Sequence, residues 1–161
     1  MKLTTKGKFA VTALLDMALH TVECIAPITL YNISERQGIS LSYLEQLFVK
    51  LRKQGVVKSY RGPGGGYILA HNTSDINISQ IIKIVDDDMD ARSCHGMMNC
   101  KDNHKCLTHD LWNGLTHHVY SYLEKITLSD LVKNYHTKHD NLFQIFDFSI
   151  NNQNLRNYSK I

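Results

Sequence analysis

The sequence predicts a mainly α protein with one small β-hairpin, and three observations predict it. Apolar residues recur at helical spacing in several separate segments. One glycine-rich run, Arg61 to Gly66, lies between two short β-prone runs. A cysteine-rich stretch without apolar periodicity separates the first helices from a long later one. The 161 residues are 43% hydrophobic and 20% charged, the composition of one ordinary soluble domain or a domain with an appendage, which excludes a disordered polymer, a collagen and a disulfide-dense scaffold. No apolar run reaches the roughly 18–20 residues that span a bilayer, and the start MKLTTKGKFAV lacks a signal peptide's apolar core, so a cytoplasmic protein without a membrane partner is expected.

The net charge of +3 is unevenly divided. Residues 1–67 carry nine basic and four acidic side chains, residues 68–161 nine and eleven. A basic first half suggests a polyanion partner for that half alone.

From Gly7 to about Val22, KFAVTALLDMALHTV is apolar nearly all round, with Phe9, Ala13 and Met17 on one line and Val11, Leu15 and Leu19 on another, so this helix belongs in a core. Pro27 interrupts the chain, and TLYNISERQ forms a short helix ending at Gly38. In ISLSYLEQLFVKLRK, Leu44, Leu47, Phe48 and Leu51 make one apolar stripe; Ser40 or Ser42 caps the helix, and Ser42 with Glu45 fits a capping box. The opposite face carries Ser42, Tyr43, Glu45, Gln46, Lys50 and Lys53. A buried back, a polar front and a glycine turn ahead of it describe a helix-turn-helix whose second helix fits a major groove.

The runs Val56–Tyr60 and Tyr67–Ala70 then form a hairpin with a bare basic tip of Arg61, Gly62, Pro63, Gly64, Gly65 and Gly66. Glycines there let backbone N–H groups approach phosphates, and Arg61 reaches a phosphate or a minor groove. A nucleotide-binding loop would need Gly-Lys-Ser/Thr and a helix, whereas Tyr67-Ile68-Leu69 follows. Helix, helix-turn-helix and basic hairpin in that order make a winged helix-turn-helix over residues 1–85. Its candidate DNA contacts are Ser40, Ser42, Tyr43, Glu45, Gln46, Lys50, Arg61, Gly62, Pro63 and Gly64.

Ile78, Ile81, Ile82 and Val85 predict a short helix packing the wing onto the core. The acidic run Asp86, Asp87, Asp88 and Asp90 lacks a calcium loop's alternation and reads as a solvated linker. Residues 86–109 then hold Cys94, Cys100, Cys106 and His109 in the pattern C-x5-C-x5-C-x2-H, a metal loop. Gaps of five are wider than zinc knuckles favour and suit a 2Fe-2S cluster, and spacing leaves His95 and His104 open as ligands beside His109. Cys24 reads as a small core residue. From Cys106 the steps Leu107, Leu111, Leu115 and Val119 start a helix of about 20 residues, which bears Trp112, Tyr120 and Tyr122 on neighbouring lines. Apolar on more than one side, it needs two partners, its own domain and a second subunit. Residues 106–140 comprise this dimerisation helix and a short one begun by Thr127 and Asp130, and residues 141–161 read as a flexible tail.

The motifs KLTTKGKFAVTALLDMAL, ISERQGISLSYLEQLF, RGPGGGY and the cysteine loop running into CLTHDLW occur in an order that resembles the iron-sulfur cluster regulators, a bacterial winged-helix repressor family with a cysteine cluster loop, over roughly residues 1–134. The resemblance implies a homodimer on a double-stranded DNA operator, with one 2Fe-2S cluster per subunit held by Cys94, Cys100, Cys106 and His109. It also implies repression of iron-sulfur cluster assembly genes, with the assembly machinery as cluster donor. On the matching residues, Ser42, Tyr43, Glu45 and Gln46 would face DNA, and Arg61, Gly62, Pro63 and Gly64 would form the wing contacts. A nitric oxide or redox sensor with the same cluster and a zinc-stabilised DNA-binding module are the alternatives. An enzyme is not expected, because no GxGxxG follows a strand and no acid and base pair is placed.

Overall fold

The computed structural model describes residues 4–21, 26–86, 97, 99 and 104–137. Its elements are α1 (Thr5–Thr21), α2 (Leu30–Gln37), α3 (Leu41–Lys53), β1 (Val57–Tyr60), β2 (Gly66–Leu69), α4 (Ile78–Val85) and α5 (His109–Glu124), and residues 128–137 are again helical. The mainly α architecture with one β-hairpin is the one expected.

One apolar core serves all of these elements. Ala13, Leu14 and Met17 of α1, Phe48 and Leu51 of α3, and Ile81 and Ile82 of α4 meet in it, and each is buried. The stripe Leu44, Leu47, Phe48 and Leu51 faces inward as its spacing requires. Full burial of Phe48 contributes about 1.5–3 kcal/mol. Its ring also meets Tyr67 of β2 edge-on at 5.0 Å, which ties the hairpin to α3.

β1 and β2 pair antiparallel, Val57 with Leu69 through Tyr60 with Gly66. Beyond them, Ile28 forms an antiparallel bridge with Tyr67: each backbone N–H donates to the other's carbonyl, at 2.9 and 2.8 Å. Gly66 is required by this approach, since a Cβ there would stand 2.5 Å from the Ile28 carbonyl oxygen.

The chain leaving α5 returns to the start of α4. Ile78 N–H donates to the Ile126 carbonyl at 2.9 Å and Leu128 N–H to the Ile76 carbonyl at 2.8 Å. Thr127 and Asp130 cap the last helical segment reciprocally. Thr127 donates from N–H and hydroxyl to Asp130 Oδ2 at 2.9 and 2.7 Å, and Asp130 N–H donates to Thr127 Oγ1 at 3.2 Å. These bonds lower the Asp130 pKa from its ordinary value.

Three details depart from expectation. The long helix begins at His109 rather than Cys106, with a turn over Leu107 and Thr108 ahead of it. The third helix begins at Leu41 with Ser40 as its N-cap, so Ser42 lies inside it, and the Ser40 hydroxyl meets the Ser42 hydroxyl at 3.0 Å in place of a capping bond. Asp86 is buried rather than solvated, because its carboxylate accepts from Thr4 N–H at 3.2 Å and from the Thr4 hydroxyl. An anion just ahead of Thr5 also complements the positive end of α1. Cys24, Asp87, Asp88, Asp90 and the tail 141–161 lie outside the described residues. Among the described residues no helix is long and apolar enough to cross a membrane.

Candidate DNA interface and cysteine loop

The turn between α2 and α3 is set by local chemistry. Thr29 Oγ1 accepts from Asn32 N–H at 3.1 Å, capping α2. Gly38 adopts φ 62°, the left-handed conformation that ends helices without a Cβ penalty. The Ser34 hydroxyl donates to the Ile39 carbonyl at 2.6 Å across the turn.

A buried carboxylate fixes α2 against α1. Asp16, 2% exposed, accepts Arg36 Nη2 at 2.6 Å, Arg36 Nε at 3.0 Å and Gln37 Nε2 at 2.7 Å. The hydrogen bond to this carboxylate raises the Arg36 pKa from its ordinary value. α3 therefore leaves the turn in a direction set by both α1 and α2.

On α3, Ser42, Glu45 and Gln46 are exposed opposite the core stripe, with exposed Ser40 just ahead of them. Tyr43 and Lys50 sit on the flank. The Tyr43 ring packs edge-on against Phe9 at 5.7 Å, and Lys50 Nζ donates to the Val85 carbonyl at 3.3 Å. Val49, not among the residues expected on the outer face of this helix, is exposed there. Counting seven residues on from Ser42 would have found it.

At the hairpin tip, Arg61, Gly62, Pro63 and Gly64 are exposed, and Arg61 has no hydrogen-bond partner among the described residues. Gly62 and Gly64 take φ 97° and 74° with nothing near their missing Cβ atoms, so their backbone is open to an approaching phosphate. Gly65 has another purpose: its N–H donates to the Gly62 carbonyl at 2.9 Å, and a Cβ would lie 2.5 Å from the Tyr60 carbonyl oxygen. From residue 41 to 66 the chain carries five basic side chains and one acidic one, so helix and hairpin offer a cationic surface.

In the cysteine loop, Cys106 and His109 share one turn, with His109 N–H donating to the Cys106 carbonyl at 3.1 Å. Cys106 is partly buried and His109 is 4% exposed, whereas His104 is exposed. Cys94, His95 and Cys100 lie outside the described residues. A thiol and an imidazole on one turn suit a metal or cluster occupant.

The family model described as "Iron-dependent Transcriptional regulator", Rrf2, matches residues 3–134. The chain belongs to the Rrf2 family. Among similar proteins, the HTH-type transcriptional regulator IscR of Vibrio atlanticus (strain LGP32) is 51% identical over 152 residues, covering 94% of this chain and 87% of the relative. The IscR of Pectobacterium atrosepticum is 53% identical over 134 residues, 83% of this chain and 80% of the relative. Of solved structures, T. potens IscR aligns with TM-score 0.69 at 37% identity, over 84% of this chain and 88% of that one. The global cysteine regulator CymR of B. subtilis aligns with TM-score 0.70 at 28% identity, over 83% and 98%. With this Rrf2 membership, the winged helix-turn-helix is the fold, and the chain is a DNA-binding transcriptional regulator rather than an enzyme.

Proposed function

We propose that the protein is a cytoplasmic, iron-sulfur-dependent repressor. As a homodimer it places α3 of each subunit in the major groove of an operator and the tip Arg61–Gly64 on the DNA backbone beside it. Each subunit holds one 2Fe-2S cluster through Cys94, Cys100, Cys106 and His109, loaded by the cluster assembly machinery, and the genes repressed are those of that machinery. The observation that carries this reading is the coexistence of an exposed polar and cationic reading surface with a Cys106–His109 turn in a chain whose family is described as iron-dependent.

The dimer rests on α5. Leu111, Leu115, His118 and Tyr122, spaced by four, three and four, form an exposed stripe, with Leu111 and Tyr122 each 63% exposed. On the other side, Val119, Tyr120 and Leu123 pack on the core. A helix with one face in its domain and an apolar face outside fits a two-fold interface, and two-fold symmetry matches paired half-sites.

The ligand set spans the connection between α4 and α5. Two contacts hold the α4 end of that connection: Asp86 to Thr4 ahead of α1, and the Val85 carbonyl to Lys50 of α3. Bound cluster supplies a redox-sensitive crosslink whose gain or loss these contacts can pass to the reading helix. Regulation requires that loaded and cluster-free protein differ in DNA free energy, since equal affinity shifts no population.

The test compares anaerobically loaded and cluster-free dimer on DNA upstream of its own gene, by fluorescence anisotropy. A Kd ratio of about fivefold or more is expected, the lower end of typical couplings. Equal affinities on that DNA and on duplexes selected from a random pool would overturn the sensing role.

A further inference from the structure

On the outer face of α3, four exposed residues stand at i, i+3, i+4 and i+7, Ser42, Glu45, Gln46 and Val49, with exposed Lys53 beyond them. That spacing is the one by which a helix in a major groove brings four side chains to base edges, as in homeodomains. Three of the four are polar. Val49 is aliphatic and 48% exposed, and it belongs neither to the core nor to the partly buried side chains packed on it. Arg52 and Lys53, also exposed, follow within one turn. A β-branched residue is no favourite of an exposed helix position, and among the described residues the core does not use its methyl groups.

Resting on the reading of α3 as the groove helix, we infer that Val49 is a specificity residue that reads the 5-methyl group of a thymine. Its isopropyl group neither donates nor accepts a hydrogen bond. The thymine methyl is the distinctive apolar feature of the major-groove code, where apolar side chains recognise it by contact. Glu45 can accept from cytosine N4 and Gln46 can bond an adenine edge, so the same face carries a mixed code. Val49 lies three residues beyond Gln46, about 4.5 Å along the helix axis. A base-pair step is about 3.4 Å, so the thymine falls about one to two steps from the base that Gln46 reads. Arg52 and Lys53 would hold the flanking phosphates while Val49 excludes water from the methyl.

The experiment uses full-length protein and a duplex that it selects from a randomised pool. Each thymine is replaced in turn by deoxyuridine, which removes only the methyl, and Kd is measured by anisotropy for wild type, Val49→Ala and Val49→Thr. One thymine per half-site should stand out, its replacement weakening wild type about fourfold, the worth of one buried methyl group. Val49→Ala should bind the thymine duplex correspondingly more weakly and be indifferent to deoxyuridine there, and Val49→Thr, which keeps one methyl, should fall between. A wild type indifferent at every thymine, or a Val49→Ala variant that keeps the full sensitivity, would overturn the inference. Gln46→Ala separates the two levels. If it changes the selected sequence while deoxyuridine has no effect, Val49 alone was misread; if Gln46→Ala and Val49→Ala both leave binding and selection unchanged, α3 does not read the groove and the inference falls with it.

Discussion

Replacing Asp16 with Asn changes almost no volume but removes the charge on which α1 and α2 are joined. Oδ1 accepts Gln37 Nε2 at 2.7 Å and Arg36 Nε at 3.0 Å, while Oδ2 accepts Arg36 Nη2 at 2.6 Å. Whichever way the amide turns, its NH2 meets a donor, so at least one charge-assisted bond is lost and a donor faces a donor. Each such bond contributes about 1.5–3 kcal/mol, and breaking one partner of a buried pair costs about 3–5 kcal/mol. The Arg36 side chain is 32% exposed and can swing into water, which puts Asp16→Asn near the lower end, about 3 kcal/mol. For a chain of this size that lowers Tm by about 10 °C. Urea unfolding followed by circular dichroism measures it as a drop in midpoint at constant slope. Glu124→Gln is the control: the Lys83–Glu124 pair, at 2.9 Å, is 51% and 52% exposed, so its loss should cost under about 0.5 kcal/mol. A loss below about 1 kcal/mol for Asp16→Asn, or the same loss in an Arg36→Met background, would refute the assignment of this stability to the buried pair.

Leu111→Lys with Leu115→Lys should convert a dimer to monomers without loss of helix content, because both side chains are exposed in the single chain; sedimentation that still shows a dimer would place the interface elsewhere. Arg61→Ala should weaken DNA binding and flatten its salt dependence by about one unit of slope per lost phosphate contact, and an unchanged slope would mean that Arg61 touches no phosphate. Glu45→Ala should relax sequence preference more than it weakens binding, since a carboxylate repels phosphate but accepts from cytosine; equal loss on all operator sequences would contradict that. Asp130 has its pKa lowered by Thr127, so its stabilising contribution is complete at neutral pH and fades as pH falls below the ordinary carboxylate range through the lowered value. The stability gap between wild type and Asp130→Ala should close in that acid window, and a gap that persists there would argue against the capping role.

Elements with a local signature were legible in the sequence. The stripe from Leu44 to Leu51 announced α3 and its outer face, and the run Arg61–Gly66 between β-prone residues announced the hairpin. What escaped depends on residues far apart in the chain. Asp16 meets Arg36 twenty residues on, and Asp86 meets Thr4 across eighty-two, so an aspartate in an acidic run read as solvated is buried. Gly62 and Gly64, the two tip glycines expected at DNA, have nothing near their missing Cβ atoms, while the sequence did not show that Gly65 and Gly66 answer to the chain's own backbone. Polar character alone grouped Tyr43 and Lys50 with the outer face of α3, but Phe9 and the Val85 carbonyl draw them to its flank. Val49 escaped for the converse reason: polar character picked out the outer face, and an exposed apolar residue is found there only from its angle on the helix.

The most direct test of an iron-sulfur regulator is the visible absorption of anaerobically purified protein, with iron, sulfide and zinc assayed on the same sample. Bands between about 400 and 600 nm with iron and sulfide near equal are expected, and they should be altered by His109→Ala and lost in a Cys106→Ala variant. A colourless protein that after anaerobic reconstitution carries about one zinc per chain would leave the DNA-binding surface standing and contradict the cluster.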